Sequence, residues 1–397
     1  MRLLVVMTSY PFPPRAGDAI VAYNSIKELS KKHSVYFICR DVVKELGDFA
    51  EFVEQIEFVR PKKIAWFMHF FHSAFYMLLG IPIIITEMQK RVKKLIECNK
   101  FDVILLYGIG SIPYCPPAYY KKVIVNIEDP QSIKLRRMKG LPVCSLWEKA
   151  KLSVLEKLNE HYEKSFLPKI AKVVLLSEED AKDMREKGKY ENIGRVSYGI
   201  NKQSIEEIVS FEERTEGMIV FSGNMFHLPN VDGALFFLRH IFSLVLQEYS
   251  TAVLWIVGAE PDTRIRDAAT RFGEHVVITG RVNDMQEYLQ RAKVSICPVR
   301  LKIGVQTKIL EALSWGTPVV TTIAGNSGIG GCSGSELWVE DEPKIFASRV
   351  VALLRGEGWR QLSEKGRKLV EENFSWERSA MELEQYLIRI QTARGGG

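Results

Sequence analysis

The amino-acid sequence predicts an α/β protein made of two doubly wound domains, each on a parallel sheet. Three observations predict it. Apolar runs of strand length alternate with segments of helical period along almost the whole chain. A polar, acidic stretch, KQSIEEIVSFEERTEG at 202–217, interrupts this series, and a second one then starts afresh. Several of the strand-like runs end in a glycine-bearing loop, which leaves room for a ligand at the carboxyl ends of the strands. The chain has 397 residues, 46% hydrophobic and 26% charged, enough apolar sequence for two or three cores and too much for a disordered polymer.

In the first half, RLLVVMT (2–8), SVYFICR (34–40), VILLYG (103–108), VIVNI (123–127) and KVVLLS (172–177) read as buried strands. Helical period fills 19–32 and 146–167. The opening MRLLVVMTSYPFPPR has only a short apolar run before prolines and reads as the first strand rather than a secretory leader. In the second half the strands are MIVFSG (218–223), AVLWIVG (252–258), VVITG (276–280), VSICPV (294–299) and PVVTT (318–322). Helices are expected over 230–249, 285–292, 305–314 and 376–391. The boundary falls in the acidic stretch, giving a first domain of residues 1–201 and a second of 202–374.

Six scattered cysteines without a C-x-x-C pair argue against structural zinc and a disulfide framework and fit a reducing cytosol. The net charge of +6 is uneven: residues 1–200 carry 32 Lys and Arg against 23 Asp and Glu, the remainder 22 against 25. The basic clusters KRVKK (90–94) and KLRRMK (134–139) are short, read first as solvated helix faces, and do not suggest a nucleic-acid partner. The stretch IAWFMHFFHSAFYMLLGIPIIIT (64–86) has three readings: a buried core helix, a surface that docks on an anionic membrane, or a span. His69, His72 and the Gly80-Ile81-Pro82 break weigh against the span.

The first strand ends in TSYPFPPRAGDA, without the G-x-G-x-x-G of dinucleotide folds. Gly17 permits close backbone approach there, and Asp18 suits a helix start. FSGNMFHLPNVDGA repeats the logic with Gly223 and Asn224, while Gly258 and Gly280 end the next two strands. Three such glycines leave room for a base and a ribose. The richest turn is LKIGVQTKILEALSWG (301–316), where a helix is expected from about Val305. The amides of Val305, Gln306 and Thr307 at its positive end favour phosphate. Arg300 and Lys308 oppose the helix dipole unless an anion sits beside them. Glu311, one turn after Thr307, is suited to chelate vicinal ribose hydroxyls. A plain Lys308–Glu311 surface pair is the competing reading.

KILEALSWGTPVVTT resembles the E-A-x-A-x-G-x-P-V-V signature of retaining glycosyltransferase family 4, which has the GT-B fold. The likeness extends to PFPPRAG, VVLLSEEDA, YGIN, FSGNMFHLPNVDGA, IVGAEP and the Trp376 helix. It implies two Rossmann-like domains facing across a cleft, with the last helix, 375–393, crossing back to the first domain. It further implies that Glu311 binds donor ribose, that Gly223 ends the first strand of the donor domain, and that Gly17 lies near the donor phosphates. Ile303 replaces the first glutamate of the family's E-x7-E. Asn224 and His227 stand where an Arg/Lys pair is common, and Glu128-Asp129 where His-Asp is common.

The implied activity is sugar transfer with retention from a nucleoside diphosphate sugar to a glycan or lipid-linked acceptor in cell-surface polysaccharide synthesis. Arg300 and Lys308 would neutralise the leaving diphosphate without a metal or other cofactor, and Glu128 or Asp129 would orient or deprotonate the acceptor hydroxyl. The implied location is cytoplasmic, with peripheral contact at the inner membrane face. Two competing readings are a silent binding protein of a polysaccharide-assembly complex and a sugar-nucleotide epimerase.

Overall fold

The computed structural model describes residues 1–14, 17–41, 43, 45–60, 87–201 and 208–393. The stretch 64–86 and the first six residues of the acidic connection, 202–207, lie outside the described residues. The chain divides into two compact units. One comprises Met1–Leu135, Ser153–Gly199 and Trp376–Gly397; the other comprises Arg136–Leu152 and Ile200–Ser375.

The first unit holds a parallel sheet of β1 (Arg2–Met7), β2 (Ser34–Cys39), β3 (Gln55–Phe58), β4 (Val103–Tyr107), β5 (Val123–Ile127), β6 (Lys172–Leu175) and β7 (Ile193–Arg195), in the order β3-β2-β1-β4-β5-β6-β7. Its central strands are buried along their whole length, because helices cover both faces of a doubly wound sheet. Leu4 pairs in register with Tyr36 on one side and Ile104 on the other. The helices are α1 (Gly17–Ser30), α2 (Glu87–Cys98), α3 (Gln131–Lys139), α4 (Leu146–Phe166) and α5 (Glu178–Glu186), with the end of α3 and the start of α4 falling in the other unit. Ser177 caps α5 by accepting from the Asp180 amide.

The second unit repeats the winding with β8 (Thr215–Ser222), β9 (Val253–Val257), β10 (Val276–Gly280), β11 (Ala292–Cys297), β12 (Val319–Thr321) and β13 (Trp338–Val339), in the order β10-β9-β8-β11-β12-β13, all parallel. Its helices are α6 (Leu228–His240), α7 (Phe242–Glu248), α8 (Thr263–Ala269), α9 (Gln286–Arg291), α10 (Thr307–Ser314), α11 (Ile323–Asn326), α12 (Pro343–Leu354) and α13 (Trp359–Asn373). Phe237, Phe242 and Phe346 are fully buried against Ile219, Leu254 and Val294. The single helix expected over 230–249 is two, divided at Ile241, whose backbone leaves ideal helical values. The final helix, α14 (Trp376–Thr392), belongs to the first unit, where Ala380, Leu383 and Leu387 form its buried stripe. Its Glu384 binds Lys32 and His33, and its Glu382 accepts from the Ser197 amide and hydroxyl. Gly199 is required beside it, because a Cβ there would lie 2.3 Å from the Trp376 ring.

One segment departs from the domain boundaries read from composition. Residues 136–152, expected in the first domain, cluster with the second unit. Arg137 donates to the Lys302 carbonyl and Arg264 to that of Val143, long-range bonds that no local pattern announces. Arg214 is another. It is buried and donates to the carbonyls of Val209, Leu289, Ala292, Trp315 and Gly316 and to the Thr317 hydroxyl, tying β8 to the ends of α9 and α10. In both sheets the strand order reverses direction once, between β1 and β4 and between β8 and β11. The carboxyl ends of those strand pairs are where a doubly wound fold holds ligand.

Candidate functional site

In the second unit, β8 ends at Ser222 and the chain turns at Gly223, whose φ of 142° is open to glycine. The Gly223 amide donates to Val257, and the Gly258 amide donates to Gly280, so the three predicted glycines stand side by side on adjacent strand ends. Side chains are excluded there. A Cβ on Gly258 would meet the Gly223 carbonyl oxygen at 1.7 Å, and one on Gly223 would meet Asn230 Nδ2 at 2.9 Å and Lys308 Cε at 3.1 Å. Gly280 has a φ of 72° and open space where a Cβ would stand.

Across the switch point, β11 runs into the loop 298–306 and then α10. The helix begins at Thr307, two residues later than expected. Val305 and Gln306 therefore precede it, and Gln306 occupies the N-cap position without a side-chain cap. The positive end of the helix is left to its backbone amides. Lys308 turns its ammonium to Asn230 Oδ1 at 2.7 Å and Gln306 Oε1 at 3.3 Å, with the Phe221 ring 5.6 Å away. Asn230 is itself held by donating to the Asn224 carbonyl. The bonds of Lys308 are thus to neutral amides, not the surface pair with Glu311 that was the competing reading. Burial lowers the Lys308 pKa against the opposing influence of Cys297 and Glu311.

The Glu311 carboxylate accepts no hydrogen bond among the described residues, and burial, partly offset by Lys308, pushes its pKa up to about 7. Ile309, Leu310 and Leu313 are fully buried on the other faces, so the apolar stripe holds the helix in place, with Lys308 beside Gly223 and Glu311 one turn farther along. Ile303 is buried, so this position is used for packing.

Arg300 does not present a free guanidinium. It grips Asp232 in a fork, with Nε to Oδ2 at 2.9 Å and Nη2 to Oδ1 at 2.7 Å, and lies over the Phe236 ring. Asp232 is buried, which makes Arg300 its counter-ion first. Sequence reasoning missed Asn230 and Asp232 as partners. Their only signal was two polar residues, two apart, in the first turns of an otherwise apolar helix.

In the first unit, the start of α1, which follows β1, lies against Glu128, the residue after β5. Gly17 opens α1, and a Cβ there would lie 2.6 Å from Glu128 Oε1, so the glutamate rests against the helix start. Asp18, in the first turn, accepts from the Ala19 amide. Burial, then the charges of Asp129 and Asp18, push the Glu128 pKa up to about 8. Asp129 is paired with Lys134 at 2.9 Å. Behind them, buried Glu163 accepts from the amide and hydroxyl of Ser132 at the start of α3, a contact across 31 residues of sequence that spacing does not reveal. Among the described residues no helix is long and apolar enough to cross a membrane.

Residues 216–356 match the model of the family described as Glycosyl transferases group 1. No curated protein matches the chain. Solved structures of similar fold include TarM, with 12% identity over 98% of this chain and 99% of that one at a TM-score of 0.69. Sucrose-phosphate synthase from Thermosynechococcus elongatus aligns with 15% identity over 99% and 100% of the two chains at a TM-score of 0.69. HepE of Anabaena, solved in complex with UDP, aligns with 11% identity over 98% and 100% at a TM-score of 0.68. With its two parallel sheets the chain has the GT-B architecture, and residues 216–356, which hold the Gly223–Gly258 floor and the Lys308–Glu311 turn, are the part that matches the glycosyl transferases group 1 model.

Proposed function

We propose that the protein is a retaining glycosyltransferase that moves a sugar from a nucleoside diphosphate sugar to a glycan or lipid-linked acceptor. The observation that carries this reading is the pairing, on one turn of α10, of a lysine held on a neutral amide and a carboxylate without a hydrogen bond, beside a floor that only glycine can form. The amides at the start of α10 and the Lys308 ammonium suit the two phosphates. Glu311 accepts from the ribose hydroxyls. Gly223 and Gly258 let the backbone approach the ligand, and UDP in the HepE structure is in keeping with a nucleotide-bearing donor.

The leaving diphosphate gathers negative charge as the glycosidic bond breaks. Lys308 and the helix amides stabilise that charge in place, which is the main catalytic demand of such a transfer. No metal or other cofactor is required in this reading. Asn230 acts as a positioning residue for Lys308, and the Arg300–Asp232 fork holds α6 against the loop that leads to α10. In the first unit, Glu128 is the acidic group best suited to take the acceptor's proton, since Asp129 is occupied by Lys134. The test is nucleotide release from a panel of UDP-, GDP- and ADP-sugars with a membrane extract as acceptor. Acceptor-dependent release in the wild type, lost in Lys308→Ala and Glu311→Ala, supports the proposal. No release from any donor favours the silent binding protein, and sugar-nucleotide isomerisation without an acceptor favours the epimerase.

A further inference from the structure

An open concavity of about 390 Å³ lies in the first unit at the amino-terminal edge of its sheet, the opposite edge from Gly17 and Glu128. The two edges are separated by the length of β5, about 17 Å for five residues. Its polar lining is cationic: Lys121, two residues before β5; Lys172, the first residue of β6; and Arg389, in the last turn of α14. Ala171 and Ile390 add an apolar rim, and no Asp or Glu lines it.

The floor is built rather than incidental. The Tyr386 hydroxyl is fixed between the amide and carbonyl of Arg195. The Lys172 ammonium lies 4.9 Å from the Tyr386 ring centroid, and the Arg389 guanidinium 5.9 Å from it. Gly194 makes room for Lys172 and Tyr386. A Cβ there would stand 2.7 Å from Lys172 Cε and 2.6 Å from the Tyr386 oxygen. A helix end accounts for Arg389, since cations suit the carboxyl terminus of a helix. It does not account for Lys121 and Lys172. Burial, then the like charges of Arg389 and Arg185, lowers the Lys172 pKa, so the gathering works against its own charge.

We propose that this concavity binds a phosphate group, as a second anion site distinct from the Lys308 turn. Three converging cations offer a phosphate more donors than a single lysine, with Arg389 able to bind in a fork and the lysines as point charges. The phosphate is either that of a soluble phosphate ester or the headgroup of an anionic lipid. The site needs nothing from the donor assignment and can fail or stand without it.

The test uses full-length protein carrying Lys308→Ala, so that the α10 turn does not mask the second site, with inorganic pyrophosphate titrated by calorimetry at low salt. Saturable binding is expected, weakened by about tenfold or more when Lys121→Ala and Arg389→Gln are added, and weakened again by raised salt. Both added substitutions are at exposed positions, and an unchanged melting temperature confirms folding. Lys172→Met, read separately, should give the same loss. Flotation with phosphatidic acid vesicles against phosphatidylcholine vesicles identifies the source: capture by the acidic vesicles that pyrophosphate competes away means a lipid headgroup, and no capture alongside saturable pyrophosphate binding means a soluble phosphate. Absence of saturable pyrophosphate binding, or equal binding by parent and variants, overturns the proposal.

Discussion

The two units carry the same winding and opposite chemistry at their switch points. In the second, the strand ends present a glycine floor, helix amides and Lys308, with one acid, Glu311, a turn farther on. In the first, the corresponding edge gathers Asp18, Glu128 and Asp129, and its nearby lysine, Lys134, is taken by Asp129. A phosphate would be repelled by the first and welcomed by the second. The comparison teaches that fold alone does not divide donor from acceptor. In the proposed function the charge placed at the strand ends makes that division, and a neutral, hydroxyl-bearing acceptor suits the acidic edge.

The largest effects test the glycine floor. Gly258→Ala, with its Cβ inside the Gly223 carbonyl and a φ of 151°, is expected to cost about 3 kcal/mol or more, seen as a lowered melting temperature of the second unit. Gly17→Ala in the first unit meets only the end of the Glu128 side chain and should leave the melt within a few degrees. Equal losses would break the contrast between a backbone-built floor and a side-chain contact.

Arg300 comes next. Arg300→Ala leaves Asp232 buried and unpaired, and about 3 kcal/mol of stability should go with it; Asp232→Asn in the same chain should restore a good part. If activity falls while denaturant unfolding is unchanged, Arg300 is a ligand of the phosphates after all.

Lys308→Ala and Glu311→Ala should each lower kcat/KM by at least about tenfold, roughly 1.4 kcal/mol in the barrier, with little change in stability. Near-normal turnover in both would remove the site from α10. These two residues were legible in the sequence because i and i+3 share a helix face whatever the rest of the chain does. Arg300 was legible as a residue but not in its role, because its partner lies 68 positions away.

Smaller effects sharpen the acidic edge. Glu128, protonated below about 8 in the folded protein, serves as a base only above that pH. Transfer should therefore rise between pH 7 and 9, and Glu128→Gln should flatten the rise. The stability sign follows from the same shift. Its pKa is raised from the ordinary carboxylate range, so its contribution is fully present below about 4.5 and is lost as pH rises through about 8. A melting-temperature series should show Glu128→Gln losing less stability than wild type between pH 6 and 9. A parallel fall in both would mean that Glu128 ionises freely.

The interior strands were readable because strands buried on both faces are continuous apolar runs. The ones that escaped, β3, β7 and β13, are all sheet edges. Gln55-Ile56-Glu57-Phe58, Ile193-Gly194-Arg195 and Trp338-Val339 are short and in part exposed, so nothing in their composition demands a sheet. Sequence by itself determined the double α/β series, the three glycine-ended strands and the Lys308–Glu311 turn, because period and one-turn spacing are local properties. Only the tertiary structure decided that Asp232 holds Arg300, that Asn230 holds Lys308, that Glu128 is buried beside Gly17 while Asp129 pairs with Lys134, and that Lys121, Lys172 and Arg389 share one basin. Each of these is a contact between distant segments, and which charge meets which partner is settled when the sheets close.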